Sequence, residues 1–124
     1  MSESNGKALT RADIFSKPPQ FARERVEVPQ WGGFVYVKQI TARAIETWQD
    51  WLVEQEKTDG LKHSFRVKLI MLCVCDEEGR LIFTDAADLA VLTDRENSVV
   101  ELLWQACRSV NRMDKEATEK AAKN

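Results

Sequence analysis

FRVKLIMLCVCDEEGRLIFTD, residues 65–85, is the stretch whose reading decides the fold. From Val67 to Cys75 it is apolar apart from Lys68. It breaks at Asp76-Glu77-Glu78-Gly79-Arg80 and returns as Leu81-Ile82-Phe83 before Thr84-Asp85. Leu61, Phe65, Leu69 and Leu72 recur at helical spacing, with Lys62, Arg66 and Lys68 free to fall on the other side. That spacing predicts a helix over 61–71, because a polar Lys68 suits a helix face better than a strand buried on both sides. Residues 72–75 then read as a strand. Asp76 to Gly79 reads as a hairpin turn with Gly79 in the left-handed position, and 80–83 as the return strand.

Upstream of that run, residues 1–9 form a small, polar lead expected to be disordered. Thr10 with Asp13 three residues on is a capping-box pattern, predicting one helical turn that ends near Phe15, with Ile14 and Phe15 as its docking residues. Pro18-Pro19 forces extended backbone. Residues 25–28 alternate polar and apolar as a half-buried strand does. Gln30-Trp31-Gly32-Gly33 is a turn, and 34–38 is a second strand rich in aromatic and β-branched residues. The two make a β-hairpin. Thr41 caps a helix to Lys57, with Ala44, Ile45, Trp48, Trp51 and Leu52 on one stripe. Thr58-Asp59-Gly60 closes it, Gly60 at the glycine position beyond the last turn.

Downstream, Thr84 or Asp85 caps a short helix over 86–92. Thr93 with Glu96 predicts the cap of a longer one from Asp94 to Val110. Its apolar rows are Val99, Leu103, Ala106, Val110 and Val100, Trp104, Cys107. A last short helix begins near Met113 and frays. The expected class is α+β and helix-rich: two short β-hairpins (25–28 with 34–38, and 72–75 with 80–83) packed against about four helices. The expected organisation is a lead over 1–9, one domain over 10–113 and a helical, frayed tail over 114–124.

The totals narrow the function. The chain has 124 residues, the size of one domain. Its 18 Lys+Arg and 20 Asp+Glu alternate throughout instead of gathering positive charge on one face, so nucleic-acid binding is not expected. No run of about 18 or more apolar residues exists to cross a membrane, and no apolar signal segment opens the chain. The 3 cysteines, an odd number, agree with free thiols in a reducing cytoplasm.

Catalytic chemistry finds little footing. His63 is the single histidine and sits in a polar helix opening, where a solvated side chain is the better reading. Cys73 and Cys75 are spaced C-x-C, and neither Cys107 nor His63 completes a zinc pattern with them. As strand residues they would share a face, yet they read as small buried apolar side chains. Asp76-Glu77-Glu78 are consecutive, whereas a calcium loop alternates its oxygen ligands. No G-x-G-x-x-G, P-loop or G-x-S-x-G motif occurs. No cofactor and no metal are expected. The 4 tryptophans are the notable feature. Trp48, Trp51 and Trp104 fit core stripes. Trp31, at a hairpin tip beside two glycines, is hard to bury and marks a contact surface. Trp31, Phe34, Trp48 and Trp51 are the candidate partner-binding residues.

Three motifs in order carry a resemblance: LTRADIF at 9–15, VEVPQWGGFVYVKQITARAIETW at 26–48, and CVCDEEGRLIFTDAADLAVL at 73–92. Together they resemble the tail assembly chaperones of long-tailed bacteriophages and prophages, over Leu9 to about Arg112. The resemblance implies a non-catalytic protein of the host cell cytoplasm, absent from the mature virion. Its implied partners are the tape measure protein, which it would keep soluble, and the major tail (tube) protein, which it would recruit. It also implies self-association, and that this chain corresponds to the shorter of two forms. The matched turns at 28–33 and 76–85 read as scaffold. Trp48, Trp51 and the Cys73/Cys75 pair depart from the family pattern. A structural virion component, such as a head–tail connector or tail-completion protein, is the alternative.

Overall fold

The computed structural model describes residues 6–57 and 64–113. Its elements are α1 (Arg11–Phe15), β1 (Arg23–Val28), a 3₁₀ turn (Pro29–Trp31), β2 (Gly33–Lys38), α2 (Ala42–Lys57), α3 (Phe65–Cys73), β3 (Val74–Cys75), α4 (Ala86–Thr93) and α5 (Asn97–Val110). The class is α+β and helix-rich, as the sequence implies. The expectations for Gly60, for a helix start at Leu61, for His63, for the lead over 1–5 and for the tail over 114–124 lie outside the described residues.

β1 and β2 pair antiparallel, from Arg23 opposite Lys38 to Val28 opposite Gly33. Val26 and Val28 point inward and are buried, while Arg23, Arg25 and Glu27 stay exposed. Period-two patterning thus sets which face meets the core. The Pro29–Trp31 turn closes at Gly32, whose φ of 77° is a left-handed conformation that costs glycine nothing.

The second hairpin is smaller than expected. Leu72 and Cys73 belong to the last turn of α3, and only Val74 and Cys75 are extended. This short β3 pairs with β2 (Tyr36 opposite Cys75, Val37 opposite Val74), giving one three-stranded sheet in the order β1-β2-β3. The return segment contributes a single bridge, Leu81 to Cys75. Two extended residues cannot support a longer ladder. Helix persists through Cys73 because that segment is packed by α2, α4 and α5, so most of its side chains are apolar and buried. Cys73 is therefore helical and shares no strand face with Cys75.

Ser64 starts α3 by accepting from the Val67 N–H at 3.2 Å. Thr41 does the same for α2 through the Ala44 N–H at 3.0 Å. Asp85 and Asp88 form a reciprocal capping box at α4. Thr93, expected to cap α5, instead ends α4: its hydroxyl donates to the Leu89 carbonyl at 2.7 Å and accepts from the Ser64 N–H at 3.4 Å. Hence α5 opens three residues later than Asp94, after Glu96, without a side-chain cap. It stops at Arg112, whose φ is 58°, and the Met113 N–H returns to the Arg108 carbonyl at 2.7 Å. That closure satisfies a carbonyl of the last turn.

α5 lays Val99, Val100, Leu103 and Cys107 across β1, β2 and α3, and these residues with Val26, Val28, Val37, Trp48 and most of α3 form one core cluster. α1 is different. Its capping box forms as expected, Thr10 Oγ1 accepting from the Asp13 N–H at 3.2 Å. Ile14 and Phe15, however, do not dock; they are 54% and 68% exposed. Five residues of helix followed by the extended Pro18-Pro19 segment offer no face to the core. Phe15 is instead covered by the Arg11 guanidinium, 4.7 Å from its centroid.

Candidate binding surface

An apolar groove of about 430 Å³ lies between the 3₁₀ turn and α4. Trp31 supplies one wall from the turn. Phe83 enters from the loop before α4, Val91 and Leu92 come from α4 itself, and Asp88 and Arg95 stand at the rim. Leu92 is buried, whereas Val91 is 55% exposed. The local sequence explains this. α4 reads AADLAVLT and is apolar nearly all round, yet only Leu89 and Leu92 are buried, so its outer apolar side is left open.

The rim charges are not equivalent. The Asp88 carboxylate accepts from the Thr84 and Asp85 N–H groups at 2.9 and 3.4 Å, and is committed to the helix cap. The Arg95 backbone N–H donates to the Leu92 carbonyl at 3.1 Å, and its guanidinium has no hydrogen-bond or ion-pair partner among the described residues. Among the described residues, the groove thus offers apolar walls and a rim cation, Arg95, whose guanidinium has no partner there. This suits an apolar side chain carried near a carboxylate. A smaller concavity of about 240 Å³ lies among Phe21, Ile40, Leu72 and Leu81.

The four candidate contact residues are in separate places. Trp31 lines the groove. Phe34 lies on the outer face of the sheet, edge-to-face with Tyr36 at 5.5 Å and with the Arg25 guanidinium 3.7 Å above it. Trp48 is buried, 7% exposed, tilted against Trp104 at 6.1 Å. Trp51 is half-buried beneath the Lys68 ammonium at 5.6 Å. Phe83, Val91, Leu92 and Arg95 escaped sequence reasoning. The available signal was a short helix with more apolar residues than one buried face can use.

No group of three His, Cys, Asp or Glu residues that could hold a metal occurs among the described residues. The cysteines are free and buried. The Cys107 thiol is pushed well above its ordinary range by its hydrogen bond with Cys73 and by burial. Cys75 is pushed up by burial, against the opposing pull of Lys38 and Arg23. Thiols held protonated in a core are packing groups and not nucleophiles. Asp76 is a turn residue: its Oδ1 accepts from the Glu78 and Arg80 N–H groups at 2.9 and 3.0 Å. No helix among the described residues is long and apolar enough to cross a membrane.

No protein-family model matches the chain, and no curated protein does. Among solved structures it matches the tail assembly chaperone of bacteriophage HK97, with a TM-score of 0.54 and 23% sequence identity over 76% of this chain and 86% of that one. The chain has a tail-assembly-chaperone fold. The resemblance carried by its motifs therefore holds at the level of the fold. In this chain Trp31 ends the 3₁₀ turn, Gly32 closes it and Gly33 opens β2, and the turn sets Trp31 against α4. D-E-E-G-R-L-I-F-T-D joins the turn held by Asp76 to the cap formed by Asp85. Trp31 and Phe83, one from each of these motifs, line the groove.

Proposed function

We propose that the chain is a non-catalytic chaperone of phage tail assembly. In this reading it binds the tape measure protein in the host cytoplasm, keeps it soluble, recruits tail-tube subunits and leaves before the virion is complete. The observation that carries the reading is the shared fold, which spans 76% of this chain and 86% of the HK97 tail assembly chaperone. The Trp31–Val91 groove supports it from the physical side. A long helical client presents apolar side chains at intervals of three and four, and an open apolar groove with a cationic rim takes one such segment. Many copies along one client would then add weak contacts into strong binding.

The test is co-expression with the tape measure protein of the same tail gene cluster. The tape measure protein is expected in the soluble fraction and co-purifying with this chain, and in the pellet when the chain is absent. No gain in solubility would sink the reading. So would mass spectrometry finding the chain in purified mature tails, which is the outcome for a head–tail connector or tail-completion protein.

A further inference from the structure

The outer face of the β1–β2 hairpin is cationic, although the chain's net charge is −2. α5 covers the inner face, where Val26, Val28 and Val37 join the core. On the outer face the register sets Arg23 opposite Lys38, Arg25 opposite Tyr36 and Glu27 opposite Phe34. Tyr36 and Lys38 are half-buried and the other four are exposed. Arg25 is neutralised by Glu27 at 2.7 Å. Arg23 and Lys38 meet no carboxylate within ion-pair distance among the described residues. Arg23 Nη1 donates to the Glu77 carbonyl at 2.6 Å, and Lys38 Nζ donates to the Gly79 carbonyl at 2.8 Å. Those carbonyls hold the two side chains in place and leave both charges uncancelled. The Asp76 and Glu78 carboxylates of the same turn pair with Arg80 instead. The Gln39 N–H donates to the Ala22 carbonyl at 2.8 Å, so Arg23 and Lys38 form a non-hydrogen-bonded pair, the kind in which facing side chains stand closest. Like charges in that position repel. An anion between them would remove the repulsion and accept charge-assisted hydrogen bonds from both.

We propose that this face docks a helix of a partner protein that presents a carboxylate and, one turn on, an apolar side chain. The carboxylate sits between Arg23 and Lys38. The apolar side chain lies about 7 Å further along β2, against Tyr36 and Phe34, whose rings meet edge-to-face at 5.5 Å. Residues four apart stand about 6 Å from each other on one helix face, which fits that interval. A helix suits the face better than an extended segment. Laid over side chains and not along a strand edge, an extended segment would turn unpaired N–H and C=O groups toward the face, whereas a helix satisfies its own. Single-stranded nucleic acid fits less well. The Arg23 and Arg25 guanidiniums already lie over the Tyr36 and Phe34 rings, 4.2 and 3.7 Å from their centroids, where bases would stack. Glu27, on the same face, repels a backbone that carries a phosphate at every nucleotide, while a helix with one carboxylate at the Arg23–Lys38 end avoids it. This surface shares no residue with the groove of Trp31 and Val91. It stands on the charge and register of the hairpin and does not need the chaperone reading.

The experiment is fluorescence anisotropy on the full chain, with circular dichroism to verify folding. The probes are a labelled alanine-based helical peptide carrying glutamate and leucine four residues apart, the same peptide with glutamine for glutamate, and a labelled oligo(dT) strand. The wild type is expected to bind the glutamate peptide about tenfold more tightly than the glutamine one, and less tightly as salt rises. Arg23→Glu and Lys38→Glu are each expected to weaken that binding about tenfold or more. Lys38→Gln carries the test where Lys38→Glu disturbs folding. Lys57→Glu makes the same change in net charge at the exposed far end of α2, about 24 Å along that helix, and is expected to stay within about twofold of the wild type. A wild type that does not distinguish the two peptides overturns the inference. So do Arg23 and Lys38 variants that bind as well as the wild type, or oligo(dT) binding more tightly than the glutamate peptide. A dimer of the chain alone that Arg23→Glu and Lys38→Glu dissociate also overturns it, because the face then belongs to a second copy. No tape measure protein is present, so failure of the solubility test would leave this result untouched.

Discussion

The Trp48 indole N–H donates to the Phe65 carbonyl at 2.9 Å, fastening the middle of α2 to the first turn of α3. The same indole tilts against Trp104, whose ring also meets Phe65 edge-to-face at 5.5 Å. Three helices are thus joined by one hydrogen bond and one aromatic cluster. Trp48→Phe removes the hydrogen bond and part of the ring, and is expected to cost about 1–2 kcal/mol. Trp48→Ala opens a cavity between α2, α3 and α5 and is expected to cost about 3–5 kcal/mol. Urea unfolding midpoints at constant slope measure both.

Asn111 is a second fastening. Its Oδ1 accepts from the Ile40 N–H at 2.9 Å, and its Nδ2 donates to the Cys107 carbonyl at 3.0 Å. The end of α5 is tied in this way to the segment joining β2 and α2. Asn111→Ala leaves a part-buried N–H without a partner and is expected to destabilise by about 1–3 kcal/mol. Loss of amide-exchange protection at Ile40 ahead of the rest of the fold checks that the effect arises there.

The groove should separate binding from stability. The Arg95 guanidinium has no partner among the described residues and Val91 is 55% exposed, so Arg95→Glu and Val91→Asp are each expected to change folding stability by less than about 0.5 kcal/mol. Both are expected to lower the solubility of co-expressed tape measure protein. A variant that stays folded and still solubilises the client as well as the wild type would show that the groove is not the contact.

Stability should fall at both ends of the pH scale. The Asp76 carboxyl is lowered chiefly by the Arg80 N–H, and Asp13 by hydrogen bonds at Thr10. A depressed carboxyl contributes above its ordinary value of 3.8, and that contribution is lost as pH falls through the folded value. Asp76→Asn should therefore flatten the acid limb of a plot of unfolding midpoint against pH. Cys107 runs the other way. Its raised thiol costs nothing below the ordinary value of 9.0; above it the unfolded chain releases the proton and the folded chain does not, so stability falls. Cys107→Ala should flatten the alkaline limb, and a thiol reagent should react with Cys107 only on unfolding.

Much of the fold is legible in residue order because its signals are local. Thr10 with Asp13, Thr41, and Asp85 with Asp88 satisfy helix donors within a few residues of themselves. Val26 and Val28 alternate, and Gly32 and Gly79 take positive φ at their turns. The misreadings fall where a distant partner decides. Thr93 looks like a cap for the helix after it, but it bonds back to Leu89 and across to Ser64. Residues 72–75 look like one arm of a hairpin, but burial by three helices holds Leu72 and Cys73 in α3, and β2 takes the rest.

The candidate site divides in the same way. Trp31 could be singled out because a tryptophan between a proline turn and two glycines has few ways to be buried. Phe83, Val91 and Arg95 could not, because nothing local says that α4 lies beside that turn. What lies in residue order is the class of the fold, the caps, the turns and the inward face of each strand, all set by interactions spanning a few residues. Two things were settled only by assembly: that β3 joins β2, and that α4 faces Trp31. Each depends on which apolar faces meet once α3 is enclosed, and the free energy of that enclosure belongs to the whole core and not to any one segment.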